Sequence, residues 1–251
     1  MTPSAVVRLA IAMKMGALAI TDHDTVGGIR EAESAAIGRL VVVPAIELSS
    51  SLDGDDIHIL GYFIEPGSHL LLERLAALQH SRQERVRRIT DQLCRMGYWI
   101  DFKRVSELSR GDSPGRLHVA RALQEAGFVA SIEEAFERFL GRGRPAYIER
   151  RRLSPTEAVA LIREAGGVSV LAHPGRIRAE MMVQLLELDL AGLEVYHPDH
   201  DRGTAGALEE LCRRHDLIST GGSDFHSQGL GICTVSLTII DRLYQARPVR
   251  A

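Results

Sequence analysis

Three ionisable residues, Asp22, His23 and Asp24, follow one residue after the apolar run Ala17–Ile20. The pattern returns along the chain: an acid or imidazole stands at Glu47, His173, His197 and His200, and then Asp224 and His226, each in or just after a stretch that reads as a strand. His58 lies inside a further such stretch, so six of the ten histidines fall at strands. Burying an apolar strand that delivers a polar or charged group at its end is costly unless the group is paired or metallated. Mixed imidazole and carboxylate donors suit Zn²⁺, Mn²⁺ or Fe²⁺, whereas Ca²⁺ prefers oxygen alone. A carboxylate such as Glu47 can bridge two ions, and paired ions activate water and neutralise phosphate during an in-line displacement. Taken singly, each residue has a plainer reading. Asp22 and Asp24 could cap a helix beginning near Val26, and His69, His80 and His215 read as helix-surface residues.

The elements that must position these groups alternate. Thr2 and Pro3 open a helix as N-cap and first residue, running to about Met15, where Gly16 stops it. A strand at 17–20, a helix near 27–38 and strands at 39–50 and 55–64 follow, with Asp53-Gly54 marking a hairpin turn. Residues 65–152 read as helices alone: Leu70–Met96, Phe102–Leu108, Leu117–Ala126, and Ile132–Leu140 behind the capping residue Ser131. The alternation resumes at Ser154-Pro155, where Glu157 completes a capping box. Strands are expected at 167–175, 191–200 and 216–226, with helices near 179–188 and 203–215. The last stretch, from about 229, reads as strand and tail. Repeated helix–strand units imply a parallel α/β sheet, and several in succession favour a barrel whose strand ends share one face.

The chain has 251 residues and a net charge of −3, enough for one large domain or a domain carrying an insertion. Segment 65–152 holds 17 Lys and Arg against 12 Asp and Glu, so a basic insert interrupts an acidic body. That division suits metal binding in the body and an anionic ligand held from the insert, although a solvated helical surface would show the same balance. A duplex-DNA binder usually has a pI above about 9, so duplex DNA is not expected, while a short single strand remains open. Cys94, Cys212 and Cys233 match no zinc-knuckle spacing and read as reduced thiols. No apolar run reaches the roughly 18 residues of a membrane span, and no secretory signal is evident. A cytoplasmic location follows by default, and the oligomeric state is left open.

With "ITDHDT", "PAIELS", "HILGYF", "LAHPG" and "GGSDFH" in this order, the chain resembles the PHP (polymerase and histidinol phosphatase) family of metal-dependent phosphoesterases. The likeness runs to its nucleotide-phosphatase branch, which carries a helical insertion after the third of these motifs. Members remove the 3′-phosphate of nucleoside 3′,5′-bisphosphates, and some shorten small RNAs from the 5′ end. The implied fold is a distorted (β/α)7 barrel over 1–64 and 153–251, with a helical insertion domain over 65–152.

The resemblance also implies roles. His23 and His226 serve one metal, and Glu47 bridges. His58 and His173 complete another site with it, and Asp224 serves the remaining ion. Glu47, Asp224 and His226 stand at the reacting centre. From "SPGRLHVARAL" and "FLGRGRPAYI", the resemblance puts Arg116, His118, Arg142 and Arg144 on substrate phosphate, with Tyr147 as a further candidate. It places His197 near the substrate without a role. The family begins with a strand ending in His-x-His, followed by an Asp; here Met1 leads at once into a helix, so that strand and its three ligands are absent. Fewer than the family's three ions are therefore expected. Either the protein starts upstream, or the lineage has lost the strand. The implied activity is phosphate-ester hydrolysis on a nucleotide or short single-stranded RNA. A histidinol-phosphate-type phosphatase and a non-catalytic nucleotide-binding module are the alternatives.

Overall fold

The computed structural model describes residues 1–109, 114–149, 152–226 and 229–248. Two compact units emerge, one formed by Met1–Glu73 with Arg152–Ala251 and the other by Arg74–Arg151.

The first unit carries six strands, β1 (Ala17–Ile20), β2 (Val41–Leu52), β3 (Asp55–Tyr62), β4 (Val168–Leu171), β5 (Gly192–Tyr196) and β6 (Ile218–Gly221), paired in sequence order. Its helices are α1 (Pro3–Ala12) and α2 (Ile29–Ala36) early in the chain, and α7 (Pro155–Glu164), α8 (Ala179–Leu186), α9 (Arg202–Arg214) and α10 (Thr238–Gln245) later. The sheet is mixed, and this corrects the parallel arrangement expected from alternation. β1–β2 and β4–β5–β6 are parallel, but β2–β3 and β3–β4 are antiparallel. The reason is local: Asp53 and Gly54, both at positive φ, close a two-residue hairpin that admits no crossover helix. No pairing of β1 with β6 closes the sheet into a ring among the described residues.

Side-chain parity decides what each strand presents. On one face lie Val43 and Ala45 of β2, Leu60 and Tyr62 of β3, Val168 and Val170 of β4, and Ile218 of β6, all buried in a single apolar cluster. Leu243 of α10 is buried in the same cluster, with Ile239 and Ile240 packed against it. Here the sequence expectation of a terminal strand fails. The β-branched run Thr238–Ile240 favours extended backbone, but Ile239, Ile240 and Leu243 recur at helical spacing, and burial of that stripe decides for helix.

Caps fall where the sequence places them. Thr2 accepts from the Ala5 amide, and Ser154 and Glu157 form a reciprocal capping box at α7. α7 packs close on the sheet because Gly61 has no side chain; a Cβ there would stand 2.7 Å from Ile162.

The second unit comprises the part of α3 (His69–Arg95) from Arg74 onward, α4 (Phe102–Leu108), α5 (Arg116–Glu125) and α6 (Ile132–Ala135). The helix expected over 132–140 passes into a π-helical turn at Phe136–Leu140. Val86, Ile89 and Leu93 of α3 meet Val105, Val119, Leu123, Phe139 and Leu140 in its own core. No helix among the described residues is long and apolar enough to cross a membrane.

Candidate metal centre

The parity that builds the apolar cluster also aims the ionisable residues. In β2, Glu47 follows Val43 and Ala45 at steps of two, so it shares their face one rung further along. In β3 the order runs the other way, and His58 follows Tyr62 and Leu60 on the same face. β1 ends at Ile20, but its register continues: His23 forms an isolated bridge opposite Glu47 and keeps the phase of Ala17 and Ala19. Asp24 lies at positive φ and accepts from the Ser49 amide at 2.8 Å, which ties this extension to β2. Neither it nor Asp22 is an N-cap, since α2 is preceded by Gly28.

His173 is out of phase. Val170 and Ala172 face the interior, so an extended His173 would point away. Its backbone instead turns left-handed, with φ 30° and ψ 56°, and the ring comes back to the cluster. The amide released from the ladder by this turn donates to Glu194 Oε2 at 2.9 Å.

Glu47, about 5% exposed, is the hub. Its Oε1 lies 2.7 Å from His58 Nδ1 and 3.4 Å from His173 Nε2, and Oε2 lies 3.7 Å from His23 Nδ1. The two nitrogens facing Oε1 are 3.2 Å from each other. His226 lies beside His23 with ring centroids 6.0 Å apart, and its Nδ1 stands 3.5 Å from Asp224 Oδ1. Asp224 Oδ2 in turn lies 3.6 Å from His197 Nε2. The fold thus gathers His23, Glu47, His58, His173, His197, Asp224 and His226 along one continuous patch.

These donors fit a divalent cation. Oε1 of Glu47 is buried and has no hydrogen-bond partner despite its two near imidazole nitrogens, because no N–H is aligned on it. Three potential ligand atoms meet in one place, at separations close to the roughly 3.3 Å between adjacent ligands of a tetrahedral ion bound at about 2.0–2.1 Å. Ligand atoms of His23, Glu47 and His58 also all fall within 4.8 Å of one another.

Charge states follow from the packing. Burial opposes ionisation of Glu47, but His173, His58 and His23 around it outweigh that effect and hold its pKa at about 2. Burial keeps His23 below the ordinary imidazole value of 6.5. His173 moves the other way, raised chiefly by Glu47 against the opposing effect of burial. An ion seated between them must displace the His173 proton but finds His23 already neutral. Zn²⁺ affinity, measured calorimetrically in buffers of different ionisation enthalpy, should rise with pH above about 6.5 and level off once His173 has titrated. A flat profile with no proton release would refute that coupling.

The sequence reading missed Glu194. It sits mid-strand in β5 and is buried, and desolvation pushes its carboxyl up to about 7. An acid between Leu193 and Val195 was the available signal. His200 is explained structurally: its Nδ1 bonds the Val195 carbonyl and its Nε2 accepts from the Gly175 amide.

The arginine candidates belong to the second unit. Arg116 donates to the Leu140 carbonyl and stacks over the Phe136 and Tyr147 rings, and His118 Nδ1 accepts from the Gly115 amide. Arg142 and Arg144 are exposed. Ser113, which opens one of their motifs, lies outside the described residues.

A mixed sheet that gathers imidazoles round one buried carboxylate has the donor set of a metal-dependent hydrolase. Comparison with known proteins carries the assignment further. The chain is 33% identical to the 5′-3′ exoribonuclease Rnm of Escherichia coli over 235 residues, 90% of this chain and 80% of the relative. It is also 33% identical to the 3′,5′-nucleoside bisphosphate phosphatase of Chromobacterium violaceum over 241 residues, 92% and 84% of the two chains. A solved structure described as a metal-dependent phosphoesterase of Bifidobacterium adolescentis superposes with a TM-score of 0.79 at 28% identity, covering 98% of this chain and 91% of that one. No family model matches. The chain belongs to the PHP family of metal-dependent phosphoesterases.

Proposed function

We propose that this protein hydrolyses a phosphate ester on a ribose-phosphate substrate, either a nucleoside 3′,5′-bisphosphate or a short 5′-phosphorylated RNA. The observation that carries the reading is Glu47 Oε1, buried with His58 Nδ1 and His173 Nε2 at 2.7 and 3.4 Å from it. The named activities of the two 33%-identical relatives, on a bisphosphate nucleoside and on RNA, supply the substrate class.

His23, Glu47, His58, His173, Asp224 and His226 would hold the divalent ions, with Mn²⁺, Zn²⁺ and Fe²⁺ matching the nitrogen-rich donor set. Ions bound there lower the pKa of a water and offset phosphate charge. The protein's own contribution is placement. Glu47 stays ionised across the working range, and β2 and β3 fix its carboxylate and the His58 ring on adjacent rungs. The second unit, which we read as the family's helical insertion, carries cationic forks suited to phosphate. Arg142 and Arg144 are its exposed candidates; Arg116 and His118, already bonded to backbone, shape the same region.

The test is release of inorganic phosphate from adenosine 3′,5′-bisphosphate, and of mononucleotides from a 5′-phosphorylated pentaribonucleotide, with added Mn²⁺. Turnover on at least one, abolished by EDTA and restored by Mn²⁺, is the expected result. Turnover of histidinol phosphate alone, or nucleotide binding without hydrolysis, would overturn the proposal.

A further inference from the structure

The sequence "YHPDH" (196–200) contains two histidines whose backbone contacts fix opposite ring tautomers. His200 uses both nitrogens on main-chain groups, as described above. His197 uses only one: its Nδ1 accepts the Asp199 amide at 3.1 Å. A nitrogen that accepts carries no proton, so the ring proton of His197 resides on Nε2. That Nε2–H is buried, on a side chain only 4% exposed, and has no hydrogen-bond partner. A buried donor left unpaired costs about 1–3 kcal/mol, which makes its direction informative. It faces Asp224 Oδ2 at 3.6 Å.

We propose that His197 is a positioning residue for Asp224: its Nε2–H donates to Oδ2 and leaves Oδ1, the oxygen nearer His226, to ligate a divalent ion. The proposal rests on the metal-site reading above and deepens it, because His197 then acts on a ligand rather than on substrate. Protonation at Nε2 removes the lone pair that a metal ligand or general base would need there. The gap to a normal hydrogen bond is a few tenths of an ångström, within reach of a rotation of the partly exposed Asp224 carboxylate. Asp224 has positive φ, 43°, so its backbone is already committed, and the remaining freedom lies in the side-chain torsions that a donor can fix. Ligating carboxylates are generally held by such outer hydrogen bonds, whose loss typically costs about 10–100-fold in metal affinity or activity.

Two substitutions separate the roles of the ring nitrogens. His197→Asn keeps an acceptor near the Nδ1 position for the Asp199 amide but has no donor reaching Asp224. His197→Gln places an amide N–H near the Nε2 position. Calorimetric titration of the metal-free protein with Mn²⁺ should show the weaker-binding ion lost or weakened about 10–100-fold in His197→Asn. His197→Gln should lie within a few fold of wild type. At saturating Mn²⁺ the KM for adenosine 3′,5′-bisphosphate should stay unchanged in both. Equal Mn²⁺ binding by wild type and His197→Asn would overturn the inference. So would equal weakening in both variants, which would indicate ring packing, or a raised KM with unaltered Mn²⁺ binding, which would put His197 on substrate. If wild type itself binds no Mn²⁺, it is the metal-site reading that fails.

Discussion

Replacing Glu47 by Gln should lower kcat/KM on the order of 10²–10³-fold, the range found when one preorganised electrostatic group is removed from an active site. Gln keeps the size and the strand register, so the loss reports charge. Three imidazoles converge on that charge, and against the opposing effect of burial they hold the Glu47 pKa at about 2. The same depressed pKa predicts how the metal-free protein responds to acid. A carboxyl lowered on folding contributes stability that is complete above its unfolded value of about 4.5 and lost as the pH falls towards 2. Glu47→Gln should remove that part of the acid transition. Steady-state phosphate release and acid unfolding followed by circular dichroism measure the two effects. Full activity in the variant would show that the ionised hub is dispensable.

A larger effect on folding is expected from Gly192→Ala. The added Cβ would stand 2.2 Å from the Ile218 carbonyl oxygen, a main-chain atom held in the β5–β6 ladder. A flexible side chain could step aside, but this carbonyl moves only if the strands part. Overpacking of this kind costs about 3 kcal/mol or more when the backbone must shift. The damage should also spread along the chain, because β5 leads to His197 and β6 to Asp224. Urea unfolding should show the midpoint falling with an unchanged slope, and Mn²⁺ binding should weaken in the fraction that folds. A variant of wild-type stability would mean that these strands do not pair as described.

Much of this was legible in the sequence because periodicity and capping are local. Ala17–Ile20 as a strand, Phe102–Leu108 as a helix, the Asp53-Gly54 hairpin and the Ser154–Glu157 box all follow from short-range rules. Site parity was legible too: Val43, Ala45 and Glu47 step together, as do Ala17, Ala19 and His23. What escaped needed tertiary context. The antiparallel β2–β3 pair is already implied by the Asp53-Gly54 hairpin, but the antiparallel β3–β4 pair joins segments far apart along the chain. His173 reaches the cluster only through a left-handed residue, which no alternation rule anticipates. Glu194 was passed over because a single acid inside an apolar strand looks like noise until the amide it receives is seen. The segment of α10 reads as a strand because β-branched residues mask a helical stripe that matters only once the sheet offers an apolar face.

The hairpin has a consequence for how this protein can vary. Glu47 and His58 sit on opposite arms of one antiparallel ladder, so their meeting depends on counting: one residue gained or lost within either arm reverses an entire row of side chains. Lengthening the tip at 53–54 leaves that count intact, whereas a single insertion at Ile57, between the tip and His58, would turn the His58 imidazole outward and empty the centre of one of its donors. Sequence drift in this lineage is therefore free to change the chemistry of the tip but not the arithmetic of the arms.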